Sequence, residues 1–297
     1  MAETVSKAAA PKEKRKKKQS MVRMTLHRLA KNKMAMFGMI VIIFMLLVAL
    51  FGPMIAPYDY AEPDIVNAYA GPSLAHPFGT DDLGRDIFSR LIVGSRDSLR
   101  IGLISVAIAA VIGIGLGAIS GYFGGIMDQV IMRVMDVLQA MPSLVLAIAV
   151  CAALGPGLNN CILAISVSTI PGFVRMARAT VLNIREMEYL EAATAINCST
   201  ARIIIKHILP NAMAPLIVQM TMGVATNILV ASSLSFIGLG VQPPDPEWGA
   251  MLSAGRNYIR NYPHMVMFPG ITIMVVILAL NMLGDGLRDA LDPKLKD

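Results

Sequence analysis

Charge is scarce in this sequence. Only 15% of its residues are Asp, Glu, Lys or Arg, where a soluble domain carries about a quarter. With 55% hydrophobic residues and a mean hydropathy of +0.61, much of the chain must face lipid rather than water. Cysteine is sparse too. Cys151, Cys161 and Cys198 stand apart, without C-x-x-C spacing or a neighbouring histidine pair, so neither a disulfide framework nor a metal site is suggested. The four histidines, His27, His76, His207 and His264, form no H-x-x-x-H pair, and the local ligand spacing of a metalloenzyme is missing. No nucleophile stands beside a base. The sequence also lacks a G-x-x-x-x-G-K-[ST] loop, whose backbone N–H groups and lysine bind nucleotide phosphates. No enzymatic activity is expected, and any work the chain performs draws its energy from elsewhere.

Positive charge is present but concentrated. The net charge is +6, and eleven of the 26 Lys and Arg residues fall in the first thirty-three positions, including the run at 14–18. That arm, with Ala, Pro and Ser around it, reads as a disordered segment attracted to anionic headgroups, not as a nucleic-acid site. A basic stretch before an apolar one also resembles a secretion signal. The apolar run 35–56 is longer than such a signal's core, however, and reaches Pro57 without a small-x-small cleavage site, so it reads as an uncleaved first span.

About 20 apolar residues cross a hydrocarbon core, where every backbone polar group must be satisfied within a helix. Six stretches qualify: 35–56, 101–122, 134–154, 160–174, 212–238 and 265–283. The fourth is short and interrupted by Pro171. The fold class expected is an all-α integral membrane protein with six transmembrane helices. Lys and Arg crowd the N-terminal arm and the segment 175–211, whereas the loop 57–98 holds three arginines against seven acids. By the positive-inside rule both termini lie in the cytoplasm, and the loops 57–98 and 241–264 face outward. Gly113, Gly117 and Gly121 line one helix face. They read as a close-packing surface, because a dinucleotide-binding glycine pattern needs a preceding strand.

The segment 188–211 is the most informative. It divides into two helices too short to span: the first opens on the acids Glu186 and Glu188 and stops at Asn197. The second is capped by Ser199, carries Lys206 and His207 in its last turn, and ends at Pro210. Ala192, Ala193, Ile196, Ile203, Ile204 and Ile208 need cover although the hairpin lies in water. Either a partner protein or the lipid surface supplies that cover.

The string Glu191-Ala192-Ala193, then Asn197, then Ile208-Leu209-Pro210 resembles the EAA motif of binding-protein-dependent ABC permeases, written EAA-x3-G-x9-I-x-L-P. Asn197 stands at the glycine position, where it also tolerates a left-handed turn, and His207 stands at the isoleucine position. The stretches H-P-F-G-T-D-D-L-G-R-D-I-F-S-R-L from His76, Q-P-P-D-P-E-W-G from Gln242 and G-D-G-L-R-D-A-L-D-P-K-L from Gly284 resemble the dipeptide and oligopeptide group, whose "C"-type subunits also serve glutathione and nickel systems. The resemblance implies a type I ABC importer permease fold in a bacterial inner membrane. It implies a second homologous permease subunit, two ATP-binding subunits that carry ATP and Mg2+, and an extracytoplasmic solute-binding protein. It also implies that the hairpin within 183–211 couples the chain to an ATPase. Glu191, Ala192, Ala193, Ile196, Asn197, Arg202, Lys206, Leu209 and Pro210 are the residues expected at that contact. A self-sufficient secondary transporter is the rival reading, disfavoured by the sparse charge inside the spans.

Other candidates are read from their own chemistry. Asp81, Asp82 and Asp86 form either a calcium loop, though without the alternating ligands of an EF-hand, or, with Arg85, a polar cap touching the binding protein. Trp248 is expected as an interfacial anchor near that contact. Polar groups inside spans are costly and mark functional sites. Asp136 is expected either to pair with Arg133 three positions earlier or to touch substrate, and Pro142 to loosen its helix; both are candidates for the translocation pathway. Gln219 and Asn227 share a broad face that either lines the pathway or bonds between helices. The chain thus divides into an arm (1–33), a first span with its outward loop (34–98), a core of five spans (99–290) and a tail (291–297).

Overall fold

A computed structural model of the chain describes residues 21–291, and every regular element among them is helical. The basic run at 14–18 and the tail 292–297 lie outside the described residues. In chain order the helices are α1 (Met21–Lys31), α2 (Lys33–Ile55), α3 (Ile87–Phe123), α4 (Gly125–Gln139), α5 (Ser143–Leu154), α6 (Leu158–Arg185), α7 (Glu188–Ala195), α8 (Thr200–Phe236), α9 (Trp248–Gly255) and α10 (His264–Leu291). Helices α2, α3, α6, α8 and α10 are long and apolar enough to span singly, and α4 with α5 makes a sixth, broken span.

The expected spans are recovered with three corrections. Helix α3 begins at Ile87, well before 101, because the Asp86 carboxylate accepts the Ser89 N–H at 2.7 Å and caps it. At about 55 Å it exceeds a hydrocarbon core of about 30 Å, so its first turns, which carry Arg90, Arg96 and Asp97, stand outside lipid. The loop after α2 therefore closes at 86, and the expected boundary at 98/99 falls within one helix.

The stretch 134–154 is not one helix. Its two halves meet at 85°, with Pro142 at the N-cap of α5 in extended conformation. Proline lacks an N–H and pushes its predecessor out of the α region, which breaks this span where Pro171 leaves α6 continuous.

The third correction concerns Pro210, which does not end a helix. A π-helical turn over Ile203–Ile208 lies within α8 and keeps the chain helical past Pro210, with the Leu209 N–H bonded to the Ile204 carbonyl. The wider turn absorbs the N–H that Pro210 lacks, and the Asn211 side-chain amide caps the His207 carbonyl at 2.6 Å.

Helices α3 and α6 make a close contact, within a core that α8, α9 and α10 also build. A Cβ on Gly117 would stand 2.5 Å from the Val174 carbonyl oxygen, and one on Gly121 2.9 Å from that of Arg178; on Gly113 it would collide with the Phe173 Cβ. Only glycine allows this approach, as the four-residue spacing predicts. By contrast α2 lies at the edge of the bundle, with Leu50 70% and Met54 83% exposed. Helix α1, not foreseen in the arm, buries Leu29 against Ala35 and Ala290.

Candidate functional site

Helix α7 and the first turns of α8 form an elbow beyond the end of the bundle. Glu188 and Glu191 occupy the first turn of α7, where carboxylates complement the helix dipole. Glu186 belongs instead to the end of α6, as its C-cap. Asn197 has φ +58°. The Cys198 N–H bonds to the Ala193 carbonyl at 3.1 Å and the Asn197 N–H to that of Thr194 at 2.9 Å, which together make a Schellman turn. Ser199 stands at the N-cap of α8 without a side-chain capping bond.

One side of the elbow is anchored. Leu190, Ile203 and Ile208 are buried with Val181, Ile184, Ala212 and Leu216, so they find cover within the chain itself. The Asn211 amide also donates to the Tyr189 hydroxyl at 3.1 Å, tying the two arms together. Arg185 donates to the Tyr122 carbonyl at 2.9 Å and fixes the elbow's root to the end of α3. The other side is open: Glu191, Ala192, Ile196, Asn197, Arg202, Lys206 and Pro210 are all exposed, whereas Ala193 and Leu209 are half-buried. Ile196 is 80% exposed at the tip. A cleft of about 570 Å³ beside Glu191 runs between Arg185, Tyr122 and Ile203. The arrangement is a rigid knob with an apolar tip and both signs of charge around it.

Sequence spacing missed the ties behind the elbow. Asp136 pairs not with Arg133 but with Arg175 of α6, at 2.7 Å, because α4 turns that carboxylate toward α6. Arg178 grips Asp128 through two bonds, at 2.6 and 2.7 Å, and the Ser120 hydroxyl donates to the same carboxylate. These bonds join α3, α4 and α6. Two acids on α4, each facing one of two arginines three positions apart on α6, are the signal that was available.

Gln219 and Asn227 part company. Asn227 is buried, donates to the Ser105 hydroxyl at 2.8 Å and accepts from that of Thr169 at 3.1 Å. It thereby bonds α8 to α3 and α6, the second of its two expected roles. Gln219 lines an open cleft of about 430 Å³ with Met176, Val218, Met222 and Arg288. Pro142 marks the break between α4 and α5.

At the opposite end the acids are engaged. Asp81 pairs with Arg85 at 2.7 Å and accepts the Leu83 and Arg85 N–H groups. Asp86 caps α3 and meets His76 at 3.0 Å, while Asp82 stands 3.8 Å from Arg85. These contacts brace the loop, leaving Asp82 the more accessible acid. Trp248 is fully buried, its indole N–H donating to the Leu91 carbonyl at 3.1 Å. It is a core residue, not an interfacial anchor, since α9 folds back between α3 and α10.

Known proteins resemble this chain. The family model described as binding-protein-dependent transport system inner membrane component matches residues 113–297, and the N-terminal TM domain of oligopeptide transport permease C matches residues 20–72. The chain is 49% identical over 269 residues to the dipeptide transport system permease protein DppC of Alkalihalophilus pseudofirmus, covering 91% of this chain and 88% of that one. It is 46% identical over 272 residues to the glutathione transport system permease protein GsiD of Escherichia coli, covering 91% and 89%. An inward facing structure of the MetNI methionine ABC transporter superposes with a TM-score of 0.57 at 19% identity, over 68% of this chain and 96% of that one. At that identity the likeness speaks to fold alone.

Proposed function

We infer the function from one premise: this chain belongs to the family of binding-protein-dependent transport system inner membrane components. It has the fold of a type I ABC importer permease and is a transport component, not a self-sufficient secondary transporter. Its relatives DppC and GsiD carry names for dipeptide and glutathione transport, and peptides or peptide-like solutes are the cargo proposed here. The chain forms half of a pathway whose other half is a second permease subunit. A solute-binding protein delivers cargo from outside, and two partner subunits bind ATP and Mg2+. No cofactor is assigned to this chain.

The elbow is the coupling element. Its exposed tip at Ile196 is the single observation that supports this most, because apolar surface held in water on a hydrogen-bonded turn is shaped for a protein groove. The anchored side transmits a push: Arg185, Tyr189 and Asn211 link the elbow to α3, α6 and α8. ATP binding draws the partner subunits together, the elbows move with them, and the bundle opens outward to receive solute. Hydrolysis resets it. Gln219 and Pro142 border the pathway, and Asp82 is the outer acid available to the binding protein. Both termini and the elbow lie in the cytoplasm. The units 1–33, 34–98, 99–290 and 291–297 are retained as functional divisions, arm, first span, core and tail.

The test is reconstitution of the complete transporter in vesicles with Glu191→Lys. Reversing one exposed charge leaves assembly intact, while ATP hydrolysis continues and peptide uptake falls at least about tenfold, as expected for an interfacial charge pair turned repulsive. Unchanged uptake would remove the elbow from the coupling path.

A further inference from the structure

Where α2 ends, at the face opposite the elbow, the surface opens into a cleft of about 470 Å³. Arg96 and Arg100 border it, one turn apart on α3, together with Asp59, Asp97, Asp245, Tyr58 and Tyr60. The nearby acids Asp81 and Asp86 are each paired. In contrast, none of Arg96, Asp97, Arg100 and Asp245 makes a side-chain ion pair or hydrogen bond among the described residues. Two guanidinium groups and three carboxylates thus share one cleft, the third, Asp59, already accepting the Ala61 and Glu62 N–H groups at 2.7 and 3.3 Å, and none of the five is closed into an ion pair. A purely anionic ligand would leave the carboxylates opposed, and a purely cationic one the arginines.

Position supplies the rest of the ligand. The cleft is also lined by Pro53 and Ala56 at the end of α2, the helix that leaves Leu50 and Met54 uncovered. Apolar surface of that kind, ending at two tyrosines, is the pattern of a helix leaving the hydrocarbon at the interface. A molecule that lies along α2 and enters the cleft therefore carries an apolar tail and a head of both signs.

We infer that this cleft binds the head group of a zwitterionic phospholipid bearing a primary ammonium, that is, phosphatidylethanolamine. Its phosphate lies between Arg96 and Arg100, whose planar forks suit phosphate oxygens. Its ammonium donates to Asp97 and Asp245. Phosphatidylcholine carries the same charges but no N–H donor, and so cannot make the second set of bonds. The inference rests on the chain spanning a membrane and not on which cargo it carries.

Nanodiscs holding the assembled transporter in equal phosphatidylethanolamine, phosphatidylcholine and phosphatidylglycerol, read by native mass spectrometry for retained lipid, test it. The wild type retains phosphatidylethanolamine over phosphatidylcholine. Arg96→Gln with Arg100→Gln lowers that retention about tenfold, the loss of a charge-assisted bond or more. Asp97→Asn brings the two zwitterionic lipids toward parity, and Asp245→Asn, on an exposed loop, repeats the reading should the helix variant fail to assemble. Arg260→Gln, an exposed arginine outside the cleft, changes nothing. Equal retention of the two zwitterionic lipids by the wild type overturns the inference. So does preferred phosphatidylglycerol that is indifferent to Asp97→Asn, or displacement of the lipid by a free dipeptide, which would assign the cleft to cargo.

Discussion

Two small residues hold α3 against its neighbours by different means. Gly117 works by absence, since any side chain there meets the Val174 carbonyl. Overpacking of this kind costs about 1–3 kcal/mol, so Gly117→Val lowers the thermal midpoint in detergent. Ser105 works by its hydroxyl, which accepts from Asn227 while donating to the Ile101 carbonyl. Asn227→Ala removes the amide that joins three helices, and polar contacts between spans contribute about 0.6 kcal/mol on average, up to about 1.7. The glycine variant is therefore the more damaging of the pair. The buried Trp248, the one tryptophan in the chain, reports both transitions by fluorescence. An unshifted midpoint in Gly117→Val would mean that α3 and α6 do not meet closely.

At the scale of elements, the elbow depends on a single left-handed residue. Asn197 holds φ +58°, which glycine adopts freely and a β-branched side chain resists. Asn197→Gly therefore preserves coupled uptake, while Asn197→Val strains the Schellman turn and tilts Ile196 away from its partner. Measured in vesicles, ATP hydrolysis per solute imported stays constant in the first and rises severalfold in the second. Equal ratios would show that the turn geometry is irrelevant to coupling. The elbow was legible in the sequence because turn chemistry is local: Glu191, Asn197 and Pro210 stand at fixed offsets. The six apolar stretches were legible because hydropathy measures preference for lipid. Hydropathy does not measure where backbone bonding stops. It left the charged first turns of α3 unassigned, although the Asp86 cap makes them helical, and it joined α4 to α5 across Pro142. Proline itself is ambiguous: Pro142 breaks a helix, Pro171 and Pro215 ride within one, and Pro210 is absorbed by a π-turn. Pairings between helices, such as Asp136 with Arg175, depend on relative rotation that no spacing within one helix encodes.

For the molecule as a whole, the distribution of cysteine gives a direct measurement of sidedness. Cys151 and Cys161 are fully buried among the spans, whereas Cys198 is partly accessible in the elbow. One thiol is thus open to an aqueous reagent, and it sits on the element proposed to meet the ATPase. Five arginine and lysine residues at 175–211 and eleven before residue 34 are the basis for proposing that this element and the arm share the cytoplasmic side. A membrane-impermeant maleimide accordingly labels the wild-type chain in inside-out vesicles and not in right-side-out ones, and Cys198→Ser abolishes the signal. Adding the ATPase subunits then protects the thiol, since docking covers the exposed side of the elbow. Labelling from the outer face would reverse the topology, and with it the direction in which force from ATP reaches the pathway.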